Sequence, residues 1–455
     1  MIRRLCLLGV SLLVACSSPS APVASPSFSP VPTGSPAISV EWSEYHRDGG
    51  RSGAGPTEPR LNNPRAAWKV GVDGELYASP LIVAGHVIVA SENNTVYSLD
   101  MFTGSTIWQR HLGDPVDAST LPCGNIRPVT GITGTPAADV ASGRVYVVAF
   151  LRTYHHVLFA LSLTDGAVLS QQTIDPVGSN PRVQQLRGAL AIGSGYVYVP
   201  FGGLFGDCGS YHGYVVGVPL GGGPAHTYRT PVATGAGIWA PHGPTVAADG
   251  SVYVVTGNAT SAPSTFGYSD SVIQLSPELA VRSYFAPSNW VALSNGDVDL
   301  GSTGAVLLPS INRVFVIGKE GVGYLLRADA LGGIGRQVAS RRICSGAWGG
   351  TAWLGSMIFL PCADGLYAVS VTDSSIQVAW RAARPTLAPP ITAAGALWGI
   401  DAGTATLYAL DPATGKALYS TGIGAANRYS TPAATEGFVV MPAGRSVVAI
   451  DVAGA

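Results

Sequence analysis

The chain has 455 residues, of which only 12% are charged, and its formal net charge is −1 at neutral pH. No basic stripe is present, which argues against a nucleic-acid partner. With 58 glycines and 33 prolines, the composition suits many short strands joined by tight turns rather than long helices.

The N-terminus reads as an export signal. Arg3-Arg4 precedes an apolar run, residues 5–15, that is short for a membrane-spanning helix. The run ends in Leu13-Val14-Ala15-Cys16, which resembles a bacterial lipobox. On that reading residues 1–15 are removed and Cys16 becomes the lipidated N-terminus. Residues 16–40 form a Ser/Pro-rich tether with too little apolar surface to fold. The chain is then exported and held at the outer face of the bacterial membrane by its lipid alone. Residues 41–455 form the folded part. Cys6 leaves with the signal, so Cys123, Cys208, Cys344 and Cys362 remain. In an exported chain they suggest two disulfides. Three pairings are possible; Cys344 with Cys362 is the natural local pair, which leaves Cys123 with Cys208. No Cys-x-x-Cys-His motif for attached haem occurs.

A cassette then repeats along the chain. Ser98-Leu99-Asp100-Met101-Phe102-Thr103-Gly104 and Tyr408-Ala409-Leu410-Asp411-Pro412-Ala413-Thr414-Gly415 are its best copies, and Ala160-Leu161-Ser162-Leu163-Thr164-Asp165-Gly166 is a worn one. Units open near residues 78, 133, 187, 240, 302, 349, 388 and 430, and each runs into a short apolar strand. The spacing of about forty to sixty residues is that of four-stranded propeller blades. The reading is all-β, an eight-bladed β-propeller. The last unit stops at Ile450-Asp451-Val452, short of an outer strand. Residues 65–70, with Trp68, are expected to supply that strand and close the ring. The cassettes are most eroded in the third to fifth units.

These units resemble the PQQ-like repeats of quinoprotein alcohol dehydrogenases, which carry pyrroloquinoline quinone (PQQ) on an eight-bladed propeller. The resemblance runs from about residue 42 to residue 452. Binding-only propellers, such as the outer-membrane assembly lipoproteins, share the cassette. In the middle of the chain stand Ile238-Trp239-Ala240 and Thr256-Gly257-Asn258. The resemblance implies that Trp239 stacks under the quinone and that Asn258 gives an amide oxygen to calcium. Asn295-Gly296-Asp297-Val298-Asp299 matches the segment of the catalytic base. It implies Asp299 as base and a metal ligand, with Asp297 as second choice. Lys319 falls where a cation meets the quinone oxygens, and Arg127 aligns loosely with a cofactor-binding Arg. Asp207 is the candidate for the acidic calcium ligand, because no Glu lies nearby. A single Cys123 also replaces the two adjacent cysteines of several such enzymes.

Each of these residues has a plainer reading: Trp239 as blade packing, Asn258 as a turn residue, the Asp-rich loop as a cap on its own backbone, Lys319 as a solvated turn residue. His242 reads as a structural histidine, and His155-His156 as an exposed strand or loop. Two functions follow. One is a PQQ- and calcium-dependent dehydrogenase of a small or polymeric alcohol or polyol. The alternative is a non-catalytic surface propeller that binds a protein, peptide or glycan. A monomer is expected.

Overall fold

The computed structural model describes residues 40–259 and 265–454. The candidate lipidation residue Cys16 and the signal segment lie outside the described residues. The rest is built mainly from eight sheets, each with a four-stranded antiparallel core, which in the first seven blades runs outward in chain order. In blade 1 the strands are Leu81–Val83, His86–Ala90, Thr95–Asp100 and Thr106–His111. The innermost strands of blades 2 to 8 are Ala137–Asp139, Ala191–Gly193, Thr245–Val246, Val306–Leu308, Ala352–Leu354, Ile391–Ala393 and Ala433–Thr435.

The strand Arg65–Gly71 does close the ring. It pairs antiparallel with Ser446–Asp451, from Arg65 opposite Asp451 to Gly71 opposite Ser446, and becomes the outer strand of blade 8. The first and last strands of the described residues therefore share one sheet.

The second strands are buried on both faces, as stacking of blades demands. In Arg144–Leu151, Val145, Val147 and Ala149 enter a cluster with blade 1, whereas Tyr146 and Val148 enter a cluster with blade 3.

The cassette works between blades. The Asp100 carboxylate accepts the amides of Phe102 (3.0 Å) and Thr103 (2.8 Å), which closes the turn. Gly104 takes φ +72°, and a Cβ there would lie 2.8 Å from the Trp68 ring. Trp68 comes from the preceding blade and donates its indole N–H to Met101 O at 2.9 Å. Trp108 repeats the contact onto blade 2 through Leu163 O, and Trp380 onto blade 7 through Pro412 O. The Leu-Asp-x-x-Thr-Gly signature is thus a socket for the neighbour's indole. Val168–Thr173, the outer strand of blade 2, has no Trp, and the cassette of blade 3 is degenerate.

A second feature carried no sequence signal. Residues 40–55 run round one end of the axis as a plug stitched to the inner strands. Trp42 exchanges backbone hydrogen bonds with Ile82 (2.8 and 3.0 Å), and Ser43, Gly49, Ser52 and Gly53 carbonyls accept amides of Ala138, Val246, Trp353 and Thr392. Val40 O accepts the Thr435 hydroxyl. Blades 1, 2, 4, 6, 7 and 8 are held this way, and blade 3 by Arg51. The Arg51 guanidinium is fully buried and donates to Glu44 Oε2 (3.1 Å), Tyr45 O (3.0 Å), Leu190 O (2.8 Å) and Pro244 O (3.1 Å). Burial pushes the Glu44 carboxyl up to about 7 despite Arg51 beside it.

The cysteines and three of the histidines can now be placed. Disulfides join Cys123 to Cys208 and Cys344 to Cys362. His242 is fully buried, hydrogen-bonded to Thr245 Oγ1 at 2.9 Å. His155 is exposed as expected, but His156 is not: its ring is buried, stacked on Phe150 at 4.2 Å between centroids. Its place on a second-blade strand with both faces covered explains the difference.

Arg51→Met should destabilise the protein by about 3–5 kcal/mol, because it leaves Glu44 buried without its partner. The loss should be smaller at pH 5 than at pH 8, where Glu44 can no longer take a proton. Chemical denaturation at the two pH values measures both.

Candidate functional site

The chain enters each innermost strand from the same face, and the residues just before those strands converge on the axis. Tyr77 precedes blade 1, Arg187 blade 3, Trp239 blade 4, Asp299 blade 5, Trp348 blade 6 and Tyr429 blade 8; all line one cavity of about 500 Å³. Asn258, Lys319 and Asp207 enter it from the loops after second strands. On the plug side, Tyr45 meets Tyr77, Arg187 and Tyr429.

Asp299 is the centre of this arrangement. Its side chain is only 3% exposed. Oδ1 accepts the Asn258 amide at 2.6 Å, and Oδ2 lies 2.5 Å from Lys319 Nζ. The Lys319 amide in turn donates to Asp299 O at 2.9 Å. Lys319 Nζ also meets Asp297 Oδ1 at 2.8 Å and lies 5.8 Å from the centre of the Trp239 ring. Asp297 is 67% exposed, so it is the outer carboxylate and Asp299 the inner one. Burial lifts the Asp299 carboxyl above its ordinary range against the pull of Lys319. Burial works against the Lys319 ammonium too, but Asp299 and Asp297 outweigh it and hold the lysine protonated more firmly than usual.

Gly257 explains why Thr-Gly-Asn is needed. A Cβ at that position would stand 2.4 Å from Asp299 Oδ1 and 3.0 Å from the Trp239 indole nitrogen. Only a glycine lets both groups close on the same piece of backbone.

Of the residues singled out from sequence, Trp239, Asn258, Asp297, Asp299, Lys319 and Asp207 line the one cavity. Arg127 does not. It is exposed and outside the lining, because the loop turns inward at Asn125 instead. Asp207 Oδ1 accepts the Tyr211 hydroxyl at 2.5 Å, and burial with Asp207 alongside drives the Tyr211 phenol far above its ordinary range. The Cys123–Cys208 bridge ties this loop to the loop bearing Asn125, over an apolar cluster of Leu121, Phe150 and Leu204.

Sequence reasoning missed Tyr77, Arg187, Tyr211, Trp348, Arg428 and Tyr429 in the lining. Most lie just before a blade opening, a positional signal that the repeat itself offers. It also missed Asp270. This buried carboxylate accepts the Ser294 hydroxyl (2.6 Å) and the Leu300 amide (3.1 Å), next to Asp299 in the chain. Burial raises it to about 7.

A sequence profile of the family described as outer membrane protein assembly factor BamB matches residues 62–261. The match covers less than half of the chain, and the fold is an eight-bladed β-propeller. Among solved structures it is similar to a quinohemoprotein alcohol dehydrogenase from Pseudomonas putida, at 12% identity and a TM-score of 0.74 over 91% of this chain and 81% of that one. A europium-containing methanol dehydrogenase superposes with a TM-score of 0.69, at 14% identity over 89% and 90% of the two chains. BamB from Moraxella catarrhalis gives 0.60, at 13% identity over 85% of this chain and 99% of that one. No curated protein sequence matches. At such identities the likeness to solved structures establishes the fold of this propeller, not its chemistry.

The donor set separates the two cofactors that the dehydrogenase neighbours suggest. An aromatic face at Trp239 beside Lys319, with Arg187 and Arg428 in the same lining, fits a flat and multiply anionic ring system. Calcium would need amide or carbonyl oxygens, such as that of Asn258, beside the carboxylates. Among the described residues, no three acidic, His or Cys ligand atoms in this cavity lie within 4.8 Å of one another, and the Asp299 oxygens already hold an amide and an ammonium.

Asp270 supplies a test of this electrostatic layout. A carboxyl raised from 3.8 to about 7 by folding holds its proton more tightly in the native state. Its contribution to stability is therefore intact below pH 4 and lost as pH rises through 7. Asp270→Asn should gain on the wild type in melting temperature as pH rises from 4 to 7, with the difference levelling off above. Thermal scans of both proteins across that range measure it.

Proposed function

We propose that the axial cavity of this propeller binds a quinone of the PQQ type and that the protein is an exported, lipid-anchored dehydrogenase of an alcohol or polyol. The observation that carries this reading is the convergence of Trp239, Asp299 and Lys319 in one cavity, from separate segments of blades 4 and 5.

The quinone, when bound, supplies an acceptor for the hydride of the alcohol carbon. Trp239 offers it an aromatic face. Lys319, 5.8 Å from that ring centre, places positive charge beside it, where charge accumulates during oxidation. Asp299 is the buried carboxylate in reach, and it takes the hydroxyl proton of the substrate. Its backbone carbonyl and side chain both contact Lys319, so base and cation keep one spacing. Asp297, at the rim, shares the lysine and tempers its charge. No step is assigned to calcium.

A second reading has a specific observation behind it. The Asp299–Lys319 ion pair is already satisfied, and the carboxylates do not converge as a metal site would. Together with the likeness to BamB, this favours a binding-only propeller at the cell surface.

Titration of purified protein with PQQ, followed by tryptophan fluorescence with and without calcium, separates the readings. Saturable quenching and dye reduction with an alcohol are expected. Trp239→Ala should weaken binding about tenfold. Asp299→Asn should keep binding but lose about 10²-fold or more in turnover. Absence of both quenching and dye reduction in the wild type would leave only the binding reading.

A further inference from the structure

Blade 3 carries a second cavity, of about 470 Å³, that shares no residue with the axial one. Three segments wall it: the loop with Ser179, the run with Ser210, His212 and Tyr214, and Arg229. Tyr214 and Arg229 stand opposite each other on the two outer strands of the blade, Tyr214–Pro219 and His226–Arg229. Along the second segment the chain alternates. Tyr211 lines the axial cavity, and His212 lines this one. His212 is held firmly there. Its amide donates to Gln184 Oε1 and its carbonyl accepts from Gln184 Nε2, each at 3.0 Å. Its ring stands edge-on to Tyr214, 5.9 Å between centroids, and the residue is only 7% exposed. Arg229 Nη2 lies 2.7 Å from His212 Nε2. A guanidinium can only donate, so Nε2 accepts and the ring proton sits on Nδ1. Burial and the Arg229 charge keep the imidazole in that neutral form. Among the described residues, Nδ1 has no hydrogen-bond partner, and neither has the Ser179 hydroxyl. Buried donors are rarely left so unless something else accepts from them. No carboxylate lines the cavity, and among the described residues Arg229 forms no ion pair.

We propose that this cavity binds a small tetrahedral oxyanion, a phosphate or sulfate group, between Arg229, the Nδ1–H of His212 and the hydroxyls of Ser179 and Ser210. Each of these side chains can donate, and the guanidinium brings the charge. A tetrahedral anion accepts from several directions, which suits donors that arrive from three segments. A planar carboxylate offers two oxygens in one plane. Burial keeps the Tyr214 phenol protonated, so the same wall holds a further hydroxyl. An apolar ligand would leave the orphaned donors unpaired, and a cation would meet Arg229. The cavity is larger than the anion itself. The group therefore has two sources, a free inorganic ion or a small soluble ester. The site does not depend on the quinone reading, because it uses none of the axial residues.

The test uses the full folded protein in a buffer free of phosphate and sulfate. Inorganic phosphate, sulfate, glycerol phosphate and acetate are titrated by calorimetry. Phosphate or sulfate should bind saturably, and acetate about tenfold more weakly or less. Arg229→Gln, on an exposed side chain, should weaken the tetrahedral anions about tenfold, and Arg229→Lys should restore part of the loss. Ser179→Ala should weaken them about threefold. In protein with isotope-labelled histidine, phosphate should shift the Nδ1–H resonance that His212→Gln removes, which a purely structural His212 would not show. If His212→Gln does not fold, the Arg229 and Ser179 variants decide alone. Arg428→Gln, in the axial cavity, should leave the binding unchanged. Tighter binding of glycerol phosphate than of phosphate assigns the site to an ester, and no such gain assigns it to the free ion; either upholds it. The proposal is overturned by a wild type that binds neither phosphate nor sulfate, by equal binding in wild type and Arg229→Gln, by acetate as tight as phosphate, or by a loss confined to Arg428→Gln.

Discussion

A ring of eight sheets leaves a hole down its axis, and the buried guanidinium of Arg51 governs how that hole is closed. One side chain binds a carboxylate and three carbonyls drawn from the plug and from the strand entrances of blades 3 and 4. Its charge is tolerable in an apolar interior only because Glu44 lies against it and three carbonyl oxygens accept from its other N–H groups. The plug then needs no secondary structure of its own. Its carbonyls and amides are spent on the inner strands, which would otherwise face the axis unpaired. What the open end keeps is a cup, and the functional candidates line its wall.

The repeats told the architecture well, for a physical reason. A blade must present a glycine at positive φ and a capped turn to receive its neighbour's indole, so Asp100, Gly104 and Trp68 leave a mark in the sequence. Blade count, ring closure and both disulfides could be read from that mark and from cysteine spacing. The plug could not. It is held by backbone atoms, which any sequence supplies, and its single decisive side chain, Arg51, has no repeat partner. The burial of His156 was missed because a second-blade strand covers both faces, so its alternation carries no polarity signal.

The site was half legible. Trp239, Asn258, Asp299 and Lys319 came from motifs near one another in sequence, and the fold does bring them together. Arg127 failed because a loose alignment in a loop says nothing about which residue the loop turns inward. Arg187, Arg428 and Tyr429 lie just before the openings of blades 3 and 8, where the repeat marks the position but not the residue type. The erosion of the cassette from blade 3 to blade 5 overlaps the arc that supplies Asp207, Trp239, Asn258, Asp299 and Lys319.

The pairing of Arg65–Gly71 with Ser446–Asp451 has a consequence for how the molecule comes into being. The strand Arg65–Gly71 has to wait for a partner that follows it by most of the described chain. Until then blade 8 lacks its outer member, Trp68 has no stable platform to hold its indole over blade 1, and the plug lacks its contact with Thr435. The circle is therefore sealed by a very long loop closure, a slow kind of contact to form. A propeller latched in this way resists opening at any single seam, because release of one end must separate a whole ladder of strand hydrogen bonds at once.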